Sequence, residues 1–147
     1  MAEPRRMNLL PVGPAGTPIP RGTGESVLLV DDEPLVARVG ARMLERLGYR
    51  VTTAESATEA LELFIADSAR FRVVVSDLTM PDHTGLELAR RVRIVNPAIK
   101  FILTTGHLGA ELQLLPDTDA LLTKPFAAAR LAQVLYDVLH PHESAAR

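Results

Sequence analysis

Five short apolar runs, each ending in polar or small residues and alternating with stretches of helical spacing, are what most constrains the fold of this chain. The runs are 27–30, 50–53, 73–76, 100–104 and 120–123. Three of them are continuous rather than alternating, as expected for strands covered on both faces. Residues 34–47 carry Val36, Val39, Met43 and Leu47 three and four apart, with Gly48 as a C-terminal stop. Residues 56–66 open with Ser56 and Glu59, a capping-box pair, and continue with Ala60, Leu61, Phe64 and Ile65. Residues 84–96 carry Leu88, Ala89, Val92 and Val95 and stop at Asn96-Pro97. Residues 126–139 carry Leu131, Val134, Leu135 and Val138. The stretch 108–115, with Leu112, Leu114 and Leu115, reads equally as a short helix or an apolar loop. The order is β-α five times over. That alternation predicts a parallel sheet with helices on both faces, joined by right-handed crossovers.

Residues 1–24 stand apart. Pro4, Pro11, Pro14, Pro18 and Pro20, with Gly13, Gly16, Gly22 and Gly24, predict a linker or tail. One domain is expected over 25–140, with a C-terminal tail over 141–147. A chain of 147 residues, 47% apolar, has enough material for one core. The formal charge of −2 gives no electrostatic footprint for nucleic acid. The absence of cysteine excludes disulfides, thiolate metal sites and cysteine nucleophiles. No apolar run approaches the ~20 residues that span a bilayer. The charged, proline-rich start is not a secretory signal, and the segment is expected to be cytoplasmic.

In open parallel sheets, ligands sit outside the carboxyl ends of the strands. Strand one there runs into Asp31-Asp32-Glu33, strand three into Asp77, strand four into Thr104-Thr105-Gly106 and strand five into Lys124-Pro125. If the central strands are neighbours, three aspartates converge with Thr105 and Lys124 beside them. Crowded carboxylates repel, and a hard divalent cation relieves the conflict. Oxygen-only ligands without imidazole point to Mg2+ or a similar ion rather than zinc. A carboxylate beside a metal, a hydroxyl and an ammonium suits phosphoryl transfer, with Asp77 as nucleophile. Each residue alone has a plainer reading as a cap or turn residue; their conjunction carries the argument.

The motifs Val27-Leu28-Leu29-Val30-Asp31-Asp32-Glu33-Pro34, Val75-Ser76-Asp77-Leu78-Thr79-Met80-Pro81-Asp82 and Leu122-Thr123-Lys124-Pro125-Phe126 resemble the receiver domain of bacterial response regulators. The resemblance covers about residues 25–140. It implies a flavodoxin-like, doubly wound (βα)5 fold with a five-stranded parallel sheet of order 2-1-3-4-5. It implies Asp77 as phosphoacceptor in a two-component phosphorelay. Asp32, Asp77 and the backbone carbonyl of Thr79 would be ligands of Mg2+, with Asp31 acting largely through water. Thr105 would be the switch hydroxyl and Lys124 the lysine that pairs with the phosphoryl group, ahead of a cis bond to Pro125. The donor would be a phosphohistidine on a histidine kinase or histidine phosphotransfer protein. The domain would be a signalling switch rather than an enzyme.

Three departures from the family pattern stand out. Leu121 replaces the aromatic residue commonly found three positions before the lysine, so no aromatic switch operates there. Only 19 positions separate Thr105 from Lys124, which implies a short fourth helix. Thr79 and His107 occupy the two positions that tune phosphoryl lifetime in the family. Leu9-Leu10-Pro11-Val12 and the Pro/Gly stretch after it resemble the end of a histidine-kinase ATPase domain and its tether. The receiver of a hybrid kinase and a free-standing receiver with a tail both remain open. Output is expected through protein contact, onward relay or control of an attached kinase. His83 and His107 are expected at the rim of the active face, and Pro141 argues against His140 or His142 as a phosphodonor. A dehalogenase-type phosphatase needs a second aspartate where Thr79 stands, and a dinucleotide site needs glycines where the first turn is acidic. An inert pseudo-receiver is opposed by the complete set of site residues.

Overall fold

The structure is a computed structural model that describes residues 18–106 and 117–141. In chain order the elements are β1 (Ser26–Val30), α1 (Pro34–Arg46), β2 (Arg50–Ala54), α2 (Ala57–Ala66), β3 (Phe71–Asp77), α3 (Gly85–Val95), β4 (Lys100–Thr105), β5 (Ala120–Thr123) and α4 (Ala128–Leu139). The strands form one parallel sheet in the order β2-β1-β3-β4-β5, as the resemblance implied. The expected short helix over 108–115 and His107 lie outside the described residues.

Successive side chains on a strand point to opposite faces, and here each set finds its own core. Val27, Leu29, Val73, Val75, Ile102 and Leu122 pack with Leu44 of α1 and with Leu131 and Leu135 of α4. Leu28, Val30, Val74, Phe101 and Leu103 pack with Phe64 of α2 and with Leu88 and Val92 of α3. Burial on both faces is why these strands read as unbroken apolar runs.

The helix termini obey their local chemistry. Pro34 opens α1 at its first turn, and Gly48, at φ +102°, ends it in the left-handed region. The Ser56 side chain accepts from the Glu59 N–H at 3.0 Å, but Glu59 reaches back one residue further than a capping box requires, to the Glu55 N–H. The full reciprocal box lies instead at Thr84 and Glu87, at the start of α3.

Two expectations change. The apolar stripe of α1 does not all face the sheet. Ala37 and Leu44 are buried, while Val36 is exposed and Val39 is 62% exposed. The small residues go inward because the helix lies close to β1: a Cβ on Gly40 would sit 3.0 Å from Leu29 Cδ2. The segment assigned to 1–24 also meets the domain more closely than a tether would. Its described end, residues 18–24, packs on the domain. Ile19 joins the core, the Gly22 N–H donates to the Leu47 carbonyl at 2.6 Å, and the Gly24 N–H donates to the Gly48 carbonyl at 2.8 Å. Proline and glycine content signalled a tether; it could not signal carbonyls left open at the end of α1.

Tyr49 covers this junction. It is 4% exposed, and its ring leaves no room for a side chain on Gly22. Burial, with the Glu25 carboxylate adding to it, pushes the Tyr49 hydroxyl up from 10.0 to about 12. The folded state thus holds this proton more tightly than the unfolded chain. The resulting stability is fully present below pH 10.0 and is lost as pH rises through about 12. Urea denaturation across that window should show the parent weakening relative to Tyr49→Phe. Parallel curves would remove this account of the junction.

Among the described residues, no helix is long and apolar enough to cross a membrane.

Candidate functional site

The site grows from the carboxyl ends of β1, β3, β4 and β5. Asp31 follows β1 and is 4% exposed. Its N–H donates to the Ala54 carbonyl, Oδ1 accepts the Glu33 N–H at 3.0 Å, and Oδ2 accepts Lys124 Nζ at 3.0 Å. Asp77 is the last residue of β3, and its Oδ2 lies 3.5 Å from the same Nζ. One ammonium therefore bridges two carboxylates. Oxygens of Asp31, Asp32 and Asp77 all lie within 4.8 Å of one another.

Backbone bonds fix the strand ends against each other. The Leu78 N–H donates to the Thr104 carbonyl at 2.8 Å, and the Lys124 N–H donates to the Thr105 carbonyl at 2.7 Å. Thr105 is the last residue of β4, buried, and opposite Thr123 in the β4–β5 register. Thr79 is exposed, two residues beyond Asp77. The Lys124-Pro125 bond is cis. The structure thus gathers Asp31, Asp32, Asp77 and Lys124, with Thr105 and Thr79 on the flanking segments.

The electrostatics follow from burial and crowding. Burial pushes the Asp77 carboxyl up, Lys124 pulls it back, and the Asp31 carboxylate pushes it up again, leaving it above the ordinary value. Burial disfavours the Lys124 ammonium, but the Asp31 hydrogen bond and both carboxylates outweigh it, so its pKa is raised. Three clustered carboxylates, two of them sharing one ammonium, form an electron-rich, oxygen-only donor set. That set suits a hard divalent cation.

His83 stands apart from this cluster, 3.5 Å from Glu87 at the start of α3. His140 hydrogen-bonds the Tyr136 carbonyl and stacks on the Tyr136 ring. His142 lies outside the described residues. Leu121 is partly buried against the α2/α3 core.

Sequence reasoning missed two residues that shape the site. Gly85 opens α3 directly against the Asp77 carbonyl, where no Cβ fits. The Thr84-Gly85 pair ahead of the apolar positions of α3 was the available signal. Asp82 binds the N-terminus of α2, whose residues are 24 and 25 positions away in sequence, and nothing local announces that partner.

A family model described as the response regulator receiver domain matches residues 27–136. The sensor kinase CckA of Brucella abortus (strain 2308) is 33% identical over 150 residues, covering 97% of this chain and 16% of that protein. The C4-dicarboxylate transport transcriptional regulatory protein DctD of Rhizobium meliloti (strain 1021) is 38% identical over 111 residues, 74% of this chain and 24% of that protein. The chain therefore spans a quarter or less of the length of these curated relatives. The response regulator TrrA of Thermotoga maritima, solved in complex with Mg(2+)-BeF, superposes with a TM-score of 0.72 at 30% identity, covering 78% of this chain and 99% of that one.

Proposed function

Because the chain belongs to the response regulator receiver domain family, we propose that it is a phosphorylation switch with Asp77 as phosphoacceptor. The observation that supports this best is the cluster of Asp31, Asp32 and Asp77, with Lys124 bridging two of them. Asp31, Asp32, Asp77 and the Thr79 carbonyl would hold Mg2+. Bound there, the ion supplies positive charge against the oxygens of the transferring phosphoryl group. An Asp77 carboxylate oxygen attacks phosphorus, the phosphorus–nitrogen bond of a phosphohistidine donor breaks, and the electron pair leaves with the imidazole. Lys124 then exchanges part of its contact with Asp77 for a phosphoryl oxygen, and the Thr105 hydroxyl donates to another. The new group carries about −1.5 to −2 charge and three acceptor oxygens. Drawing in Thr105 and Lys124 biases the segments after β4 and β5 toward a second arrangement.

The donor is a histidine kinase or phosphotransfer protein. Its docking surface is the exposed apolar face of α1, where Leu35 is 71% exposed and an open recess is lined by Val36, Val39, Met43 and Phe126. Residues 25–140 form the cytoplasmic receiver unit. The similarity to CckA runs through 97% of the chain, beyond the 27–136 of the family model. That extent favours the hybrid-kinase reading, in which the segment 1–24, docked on the receiver at 18–24, leads in from a preceding kinase core.

The test is intact mass after incubation with a small phosphodonor and Mg2+. One phosphoryl group should be gained, EDTA should abolish the gain, and peptide mapping should find it on Asp77. With a phosphohistidine donor, Val39→Asp should slow uptake while leaving small-donor labelling unchanged. A folded protein that gains no mass from either donor would return the chain to the inert reading.

A further inference from the structure

Four donors converge on the Asp82 carboxylate, although the residue is exposed. Oδ2 accepts the Thr58 N–H and the Thr58 Oγ1 hydroxyl, both at 2.8 Å. Oδ1 accepts the His83 N–H at 2.9 Å and the Ala57 N–H at 3.3 Å. Ala57 and Thr58 open α2, where amides have no intrahelical partner and the helix dipole favours an anion. Ser56 caps the next amide, that of Glu59. Two separate parts of the chain thus share the capping of one helix. Burial pushes the Asp82 carboxyl up, but the bonds from Thr58, Ala57 and His83 outweigh it and hold it well below the ordinary carboxylate range.

Asp82 belongs to the segment that leaves Asp77 and reaches α3. That segment is tied at both ends. The Leu78 N–H donates to the Thr104 carbonyl, the Gly85 N–H donates to the Leu78 carbonyl, and Thr84 forms the capping box of α3. In between, Met80 is buried in the α2/α3 core. Thr79 lies between these ties and is exposed. Asp82 adds hydrogen bonds from this segment to the N-terminus of α2.

We infer that Asp82 is a positioning residue for the cation site. By fastening the Asp77–α3 segment to the N-terminus of α2, it presents the Thr79 carbonyl ready-oriented beside Asp77. This rests on the phosphorylation-switch reading above. Without Asp82 the segment keeps its ties at Leu78, Met80 and Thr84, but its outer bend is free. An arriving ion then has to order the Thr79 carbonyl itself, and that ordering is subtracted from its affinity.

The experiment compares the parent, Asp82→Ala and Ser56→Ala by calorimetric titration with Mg2+ and by thermal unfolding in EDTA. Ser56→Ala removes a cap from the same helix without touching the Asp77–α3 segment. Both variants should lose a few degrees of Tm. Only Asp82→Ala should bind Mg2+ more weakly, by about 10-fold. Its labelling by a small phosphodonor should need correspondingly more Mg2+ and recover at saturation. Thr58→Val, which removes one of the four donors, should show a milder form of the same shift and serves if Asp82→Ala does not fold. Unchanged Mg2+ affinity in Asp82→Ala, or equal weakening in Ser56→Ala, reduces Asp82 to a helix cap and overturns the inference. A parent that binds no Mg2+ overturns this inference together with the reading it rests on; a parent that binds while Asp82→Ala binds equally well overturns this one alone.

Discussion

Asp77→Asn is expected to lose all phosphoryl uptake and yet, without metal, to be at least as stable as the parent. The loss follows from chemistry: a carboxamide is not a usable nucleophile, and no other carboxylate ends β3. The stability follows from the site's own electrostatics. The Asp77 carboxyl titrates above its ordinary value because burial, and then the Asp31 carboxylate, outweigh the pull of Lys124. A carboxyl with a raised folded pKa is held protonated to a higher pH than in the unfolded chain. Stability therefore falls as pH rises from the ordinary 3.8 through the raised value, once the carboxyl ionises in the folded state. Asparagine keeps the shape and removes that charge. Lys124 keeps Asp31, its partner at 3.0 Å. With Mg2+ the order reverses. The parent gains about 2.7 kcal/mol when the ion stands at a hundred times its Kd, and the variant, short of a ligand, gains less. Intact mass and urea midpoints at neutral pH, with EDTA and with Mg2+, check both halves. A variant that still takes up the phosphoryl group would remove Asp77 from its role. One destabilised by several kcal/mol in EDTA would make the carboxylate structural.

What sequence could say about this chain depends on the range of each interaction. Strand interiors were legible because burial on both faces leaves an unbroken apolar run, as in 73–75 of β3. That the acidic pair, Asp77, Thr105 and Lys124 stand at one rim was legible because parallel topology sends every strand's carboxyl end there. Helix faces were less so. On α1 the spacing was right, but periodicity cannot tell a buried stripe from an exposed apolar one beside it, and the small Ala37 and Gly40 allowed the helix to lie close to β1. The packing of Ile19 and the reach of Asp82 to Ala57 and Thr58 are long-range pairings between residues that look locally like tail and turn. They became visible only with the sheet order in place.

Gly85→Ala is expected to damage fold and site together. The residue opens α3 with an ordinary helical backbone, so φ is not the constraint; space is. An added Cβ would collide with the Asp77 carbonyl oxygen and lie 2.7 Å from Leu103 Cδ1. The leucine methyl can rotate away, although Leu103 is fully buried in the α2/α3 core and moving it disturbs that packing. The carbonyl cannot, because it belongs to the end of β3, held there by the sheet. The Gly85 N–H is also bound to the Leu78 carbonyl at 2.8 Å, so α3 cannot retreat without breaking the turn. Overpacking of this kind costs about 1–3 kcal/mol. Relief by tilting the Asp77 peptide would move a carboxylate that has to face both Lys124 and the cation. Urea denaturation in EDTA should therefore show a loss in that range, and the surviving folded fraction should bind Mg2+ more weakly and label more slowly. Gly85→Ala with parental stability but poor labelling would place the strain wholly on Asp77. Parental behaviour in both would mean that α3 shifts outward freely, and that the contact between its first residue and the end of β3 does not govern the site.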